Sequence, residues 1–212
     1  MLGYAGTVAG LEALFFSYNV MFISRRLGRG QLDHTLIQPQ PLWMSLLTEG
    51  FTPFGSSSIL LPGLGLMLWA IHRLGLTVTP GWAALLLLNL IASCAVVTAF
   101  QFLWGSAAFW APRGAEEVNS STNELIMQLK SYPLDGLGPA LTGGLLTVLP
   151  VGFVGWYPCR SLLGVDTSAW GGFVTPLAAL LFGLLAAAVF RKGLRHYARV
   201  GSQRYLSFGH RG

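Results

Sequence analysis

The sequence predicts an all-α fold, a polytopic helical membrane protein with five transmembrane helices in a single domain over 1–212. Composition is the first reason: 53% of residues are hydrophobic and only 10% charged, with a mean hydropathy of +0.58, whereas a soluble domain carries about a quarter charged residues. Length is the second. Five apolar stretches, 4–23, 52–71, 82–109, 138–163 and 170–190, each reach the roughly 20 residues that a helix needs to cross hydrocarbon. Pattern is the third, because the runs are continuous and lack the alternation of barrel strands. Together they take more than half of the chain and leave no room for a separate soluble domain.

The first stretch, 4–23, has no basic residue before it and carries Glu12, which favours a retained helix over a signal peptide. A polar loop, 24–44, follows. The second stretch, 52–71, holds Pro53, Pro62, Gly63 and Gly65. The third, 82–109, is the clearest: Leu85 to Leu88, Leu90, Ile91, Val96, Val97, Phe100, Phe102 and Leu103 each favour insertion by about 0.3–0.6 kcal/mol. That outweighs Asn89 and Gln101, amides suited to hydrogen bonding between helices.

In 111–137, Ser121-Thr-Asn-Glu124 fits a capping box and Leu125, Leu129 and Tyr132 share a face, which predicts a short interfacial helix ended by Pro133. The fourth stretch, 138–163, is rich in breakers: Pro139, Gly143, Gly144, Pro150, Gly152 and Gly155. The fifth, 170–190, contains Pro176. Each proline removes a backbone donor and invites a kink. Such breaks suit helices that line a pathway, and they also suit close packing through small residues.

Charge sets the orientation. Counting the segments between stretches, eleven of the thirteen Lys and Arg fall on one side, leaving Arg73 and Arg160 on the other. The positive-inside rule makes the crowded side cytoplasmic, with loops 24–44 and 111–137 and the basic tail 191–212 inside. The pI of 9.6 thus reflects topology and attraction to anionic lipid rather than nucleic-acid binding. Cys94 and Cys159 have neither disulfide nor metal spacing, and the sequence offers no metal site.

No Gly-rich phosphate loop precedes Lys130 or Lys192, so this chain holds no ATP site of its own. Gly55-Ser-Ser-Ser58 superficially suggests a serine nucleophile, but His72 lies fourteen residues from Ser58, about 21 Å along a straight helix. An intramembrane enzyme is therefore disfavoured, as is an ion-coupled carrier or channel subunit, which would need charges at the bilayer midplane or an internal repeat.

The loop carries the most specific pattern. Arg29-Gly-Gln-Leu-Asp33, followed by Leu36-Ile-Gln-Pro39, resembles the R-x-G-E-L-D-x-x-L-L-R-P loop of bacterial ABC type-2 transporter permeases, exporter membrane subunits encoded beside a separate ATPase. Tyr132-Pro133, Leu149-Pro150, Tyr157-Pro158 and the ending Leu194, Tyr197, Gly201 and Ser202 agree with that family. Gln31 stands where the family favours Glu, and Gln38 where it favours Arg. The family's loop usually follows a second helix of six. Here it follows the first, so the resemblance implies that the family's first helix is absent, in a fragment or in a true variant.

The resemblance implies a permease in the bacterial inner membrane, with its C-terminus cytoplasmic, paired with a second permease chain and a cytoplasmic ATP-binding subunit. ATP and Mg would belong to that partner, with no cofactor in this chain. Arg29, Gly30, Leu32, Asp33, Leu36 and Pro39 become the ATPase-coupling loop. Phe15, Phe16, Asn19, Phe153 and Trp156 become pathway candidates. An apolar pathway with aromatic residues suits an amphiphilic or lipophilic small molecule.

Overall fold

The computed structural model describes residues 1–15, 23–28, 32–48, 53–165, 168 and 170–201, and every regular element among these is a helix. The α-helices are α1 (Leu2–Phe15), α2 (Ile23–Gly28), α3 (Leu32–Leu36), α4 (Leu42–Thr48), α5 (Pro53–Arg73), α6 (Pro80–Ala107), α7 (Pro112–Leu129), α8 (Pro139–Thr147), α9 (Trp156–Leu162) and α10 (Gly171–Val200). Of these, α6 and α10 are long and apolar enough to cross a bilayer, and a third crossing follows if the bent pair α8–α9 is one span.

The central mast is α6. It starts where sequence rules place a start: Pro80 is in the first turn, and Thr79 Oγ1 accepts the Trp82 amide N–H at 3.2 Å. Its 28 residues rise about 42 Å. Against it lies α10, 30 residues long and extending ten residues beyond the predicted end at 190. Asn89 Nδ2 donates to the Gly172 carbonyl at 3.1 Å and to the Leu85 carbonyl one turn back at 3.0 Å. At the other end Phe102 and Phe109 meet Phe190 edge to face, with centroids 5.6 and 5.7 Å apart.

On the other flank α1 and α5 meet backbone to backbone. A Cβ on Gly63 would sit 2.5 Å from the Gly6 carbonyl carbon, and one on Gly3 would sit 2.5 Å from the Met67 nitrogen. Glycines let the two helices approach until van der Waals contact runs along the main chain.

Two expectations are corrected. The stretch 138–163 is not one helix: α8 and the segment Pro150–Leu162 are bent by 73°, and a 3-10 turn, Pro150–Phe153, opens the second limb. Pro150 lacks the donor that would continue α8, and Gly155 passes so close to the Lys130 carbonyl that a Cβ there would lie 2.5 Å from its oxygen.

The second correction concerns 111–137. No helix starts at Ser121. Instead α7 runs unbroken from Pro112, with Thr122 Oγ1 donating to the Val118 carbonyl at 2.7 Å. It doubles back along α6, burying Ala115, Asn119, Asn123 and Ile126, while Leu125 and Tyr132 are exposed. Its first residue follows the end of α6. Asp135, just beyond its last, is ion-paired to Arg160 of α9, and Leu162 of α9 accepts from Trp82 Nε1 at the start of α6 at 2.9 Å. The segment is therefore tied at its start to the end of α6 and beyond its last turn to α9.

Candidate functional site

The end of the bundle where α6 stops and α10 turns basic gathers the sequence's most distinctive loop. Its anchor is α4. Pro41 opens it, with its carbonyl accepting from Met44 N at 2.9 Å and Ser45 N at 3.2 Å. Leu42 and Leu46, four apart and hence on one face, sink into the core formed by Phe109, Ala115, Phe190 and Tyr197. That core fits because residue 193 of α10 is glycine: any Cβ there would overlap the Phe109 ring.

Held by this anchor, the preceding turn points outward. Gln38 N donates to the Thr35 carbonyl at 3.3 Å, and Ser45 Oγ donates to Gln38 Oε1 at 3.5 Å. Thr35 is buried, while Leu36 is 42% and Ile37 82% exposed, and Trp43 and Met44 also face outward. On the far side of the loop, α2 buries Ile23 and Ser24, with Ile23 against the bare Cα of Gly105. The result is an apolar knob on a buried base, and Trp43 of that base lines one cleft with Arg191 of α10. Among the described residues no cluster of His, Cys, Asp and Glu could hold a metal.

The predicted coupling residues fall unevenly. Leu36 and Pro39 are exposed as part of this knob. The backbone of Leu32 and Asp33 forms the start of α3, and Arg29 and Gly30 lie outside the described residues.

Among the described pathway candidates, Phe153 and Trp156 both meet the Tyr157 ring, and Phe15 lies elsewhere. Phe15 is exposed at the end of α1, ten residues, or about 15 Å, beyond Ala5, which neighbours Gly155. Phe153 is half-buried, with its carbonyl accepting from Ser93 Oγ at 3.1 Å. Trp156 donates from Nε1 to Asp135 Oδ2 at 2.9 Å and stacks under the Arg160 guanidinium at 5.0 Å. Phe16 and Asn19 lie outside the described residues.

Sequence reasoning assigned Gln101 to an interhelical bond but missed its partner and the rest of a polar seam between α1, α6 and α7. Gln101 Nε2 donates to Asn123 Oδ1 at 3.2 Å, and the Tyr4 and Ser93 hydroxyls share a bond at 3.1 Å. One signal was available. Asn119, Asn123, Ile126 and Lys130 recur at helical spacing.

The family described as ABC-2 family transporter protein matches residues 1–201. The chain belongs to that family. Its match takes in the loop, α4, the bent pair and α10 to its glycine cap at Gly201, whose φ is +79°. No curated protein and no solved structure matches the chain. As an ABC-2 member it is a membrane-embedded transport subunit, of a kind that normally works with a cytoplasmic ATPase.

Proposed function

We propose that this chain is the permease subunit of an ATP-driven exporter of an amphiphilic or lipophilic small molecule, driven by a separate ATPase that docks on the 24–43 segment. The observation that carries the reading is the Leu36–Ile37 knob, exposed yet rigidly based, at the end of the bundle where the basic residues of α10 collect. An exposed apolar protrusion on a fixed base suits a partner surface, and a fixed base can transmit a rigid push to α4, α6 and α10. ATP and Mg would be held by the partner, and a second permease chain would complete the pathway.

Five crossings fit this reading: the apolar stretch 4–23, then α5, α6, the bent pair α8–α9 counted as one span, and α10. Arg25, Arg26, Arg29, Arg113, Lys130 and the basic tail then fall inside, and only Arg73 and Arg160 fall at the other end. The C-terminus is cytoplasmic in this arrangement, and the membrane is the bacterial inner one.

The test is isolation of the native complex from membranes in mild detergent. An ATP-binding subunit should co-purify in defined ratio, and Ile37→Glu should weaken its retention. A chain that purifies without any ATPase, in a preparation that retains its other partners, would favour a carrier or channel subunit instead.

A further inference from the structure

We propose that the slot between α4, α6 and α10 is a binding site for one anionic amphiphile, with its apolar chain in the slot and its acidic head on Arg191. This does not rest on the export reading, because it needs only that the chain sits in a bilayer. The slot is open along one side and offers about 540 Å³, within the roughly 300–1,000 Å³ of small-molecule sites. Ala95 and Thr98 of α6 and Gly183 and Ala187 of α10 form its walls, and their small side chains leave the space that larger ones would fill.

Three features select the occupant. First, Thr98 alone of these wall residues has a polar side-chain atom, so a sugar or an ion would leave its own polar groups unpaired there. Second, the slot runs from Gly183 to Leu194, eleven residues or about 16 Å along α10, which suits an extended chain lying along the helices. Third, its charge sits at one end only. Arg191 is exposed and has no acidic partner among the described residues, and Lys192, Arg195 and Arg199 continue the positive field. Beside them Trp43 of α4, 52% exposed, stands where amphipathic rings settle at headgroup depth. An apolar slot ending in an uncompensated cation complements a chain ending in an anion.

The same chemistry could come from a resident lipid of the inner leaflet or from the transported compound. The full chain would be purified in mixed micelles of phosphatidylglycerol and phosphatidylcholine, and retained lipid counted by native mass spectrometry. Phosphatidylglycerol should be retained over phosphatidylcholine about five-fold or more, the attraction expected of one cation near the surface. Arg191→Gln should erase that preference while neutral lipid is still retained, and Ala187→Phe should expel both lipids from a chain that melts as the wild type does.

Equal phosphatidylglycerol retention by wild type and R191Q would overturn the proposal. So would disulfide cross-linking of Gly183→Cys chains to one another, which would show a second copy filling the slot. With the native ATPase and ATP added, release of the lipid during turnover identifies it as cargo, and retention identifies it as resident. Either result sustains the site.

Discussion

Gln101 Nε2 donates to Asn123 Oδ1 at 3.2 Å, which ties the last third of α6 to the middle of α7. The other end of the Asn123 amide, Nδ2, is buried without a partner. Gln101→Leu should therefore leave a wholly unpaired amide between two helices, at a cost of about 1–2 kcal/mol. The double variant Gln101→Leu with Asn123→Leu should recover most of that loss. Thermal unfolding of the chain in detergent reads both, and a double variant as unstable as the sum of the singles would disprove the pairing.

Legibility in the sequence followed how uniform each helix is. The stretch 82–109 was readable because nearly every position is apolar, so no choice of face was needed, and α6 covers Pro80–Ala107. Asn89 and Gln101 were rightly assigned to interhelical bonds. In α7 the same hydropathy logic failed. Its Asn119 and Asn123 look like surface residues in a linear window, but they point inward, where Gln101 pairs with one of them. The 138–163 stretch failed in the opposite sense. Its composition is apolar, but Pro150 and the close passage at Gly155 decide the path. The knob was legible as a local pattern, while its base, formed by Phe109 and Tyr197 from far along the chain, was not.

The α1–α5 seam predicts a sharp contrast between neighbouring glycines. Gly63 has the Gly6 carbonyl carbon 2.5 Å from its absent Cβ, whereas Gly65 has nothing within 4 Å. Gly63→Ala must push two backbones apart and should cost about 1–3 kcal/mol. Gly65→Ala should be neutral or slightly stabilising, since alanine is the better helix former. Melting temperatures in one detergent would check the pair, and equal effects at both positions would refute the seam.

Asp135 accepts from Trp156 Nε1 with one oxygen and pairs with Arg160 through the other. Asp135 is exposed and its partners Arg160 and Trp156 are only half-buried, so Asp135→Ala should change global stability by under about 1 kcal/mol. Its effect should be local, freeing α9 from the chain that follows α7. Cys159, buried in α9, should then react several-fold faster with a maleimide, while Cys94 in α6 stays inert. An unchanged Cys159 rate would mean that the carboxylate holds nothing in place.

If the Leu36–Ile37 knob transmits the stroke of an ATPase, damage there should separate hydrolysis from movement. Leu36→Glu, at a position 42% exposed, leaves the buried anchors Leu42 and Leu46 untouched. The chain should still insert and melt normally. In reconstituted vesicles, transport per ATP hydrolysed should fall about ten-fold or more, in line with the loss of a single well-packed interface anchor. Leu46→Ala should behave differently, lowering stability by about 2–5 kcal/mol through the core it vacates. Normal coupling in Leu36→Glu would remove the knob from the mechanism.

The path of α7 makes the most direct prediction about topology. Gly114 lies in its first turn, close to the end of α6, and Gly136 lies beyond its far end, next to the Asp135–Arg160 pair. Neither glycine has any atom within 4 Å of an added Cβ, so cysteine fits at both. The helix is 18 residues long, about 27 Å, close to the roughly 30 Å of a hydrocarbon core. In right-side-out vesicles, a membrane-impermeant maleimide should spare both Gly114→Cys and Gly136→Cys until the membrane is opened, as a helix on the inner surface requires. Labelling of Gly136→Cys alone would require a crossing and would overturn the interfacial reading. The chemistry of the helix favours the surface: Asn119 and Asn123 are buried against protein, but Glu117, Glu124 and Gln128 on the opposite face are exposed, and carboxylates on a free face belong among headgroups and water, where hydrocarbon would leave them unpaired.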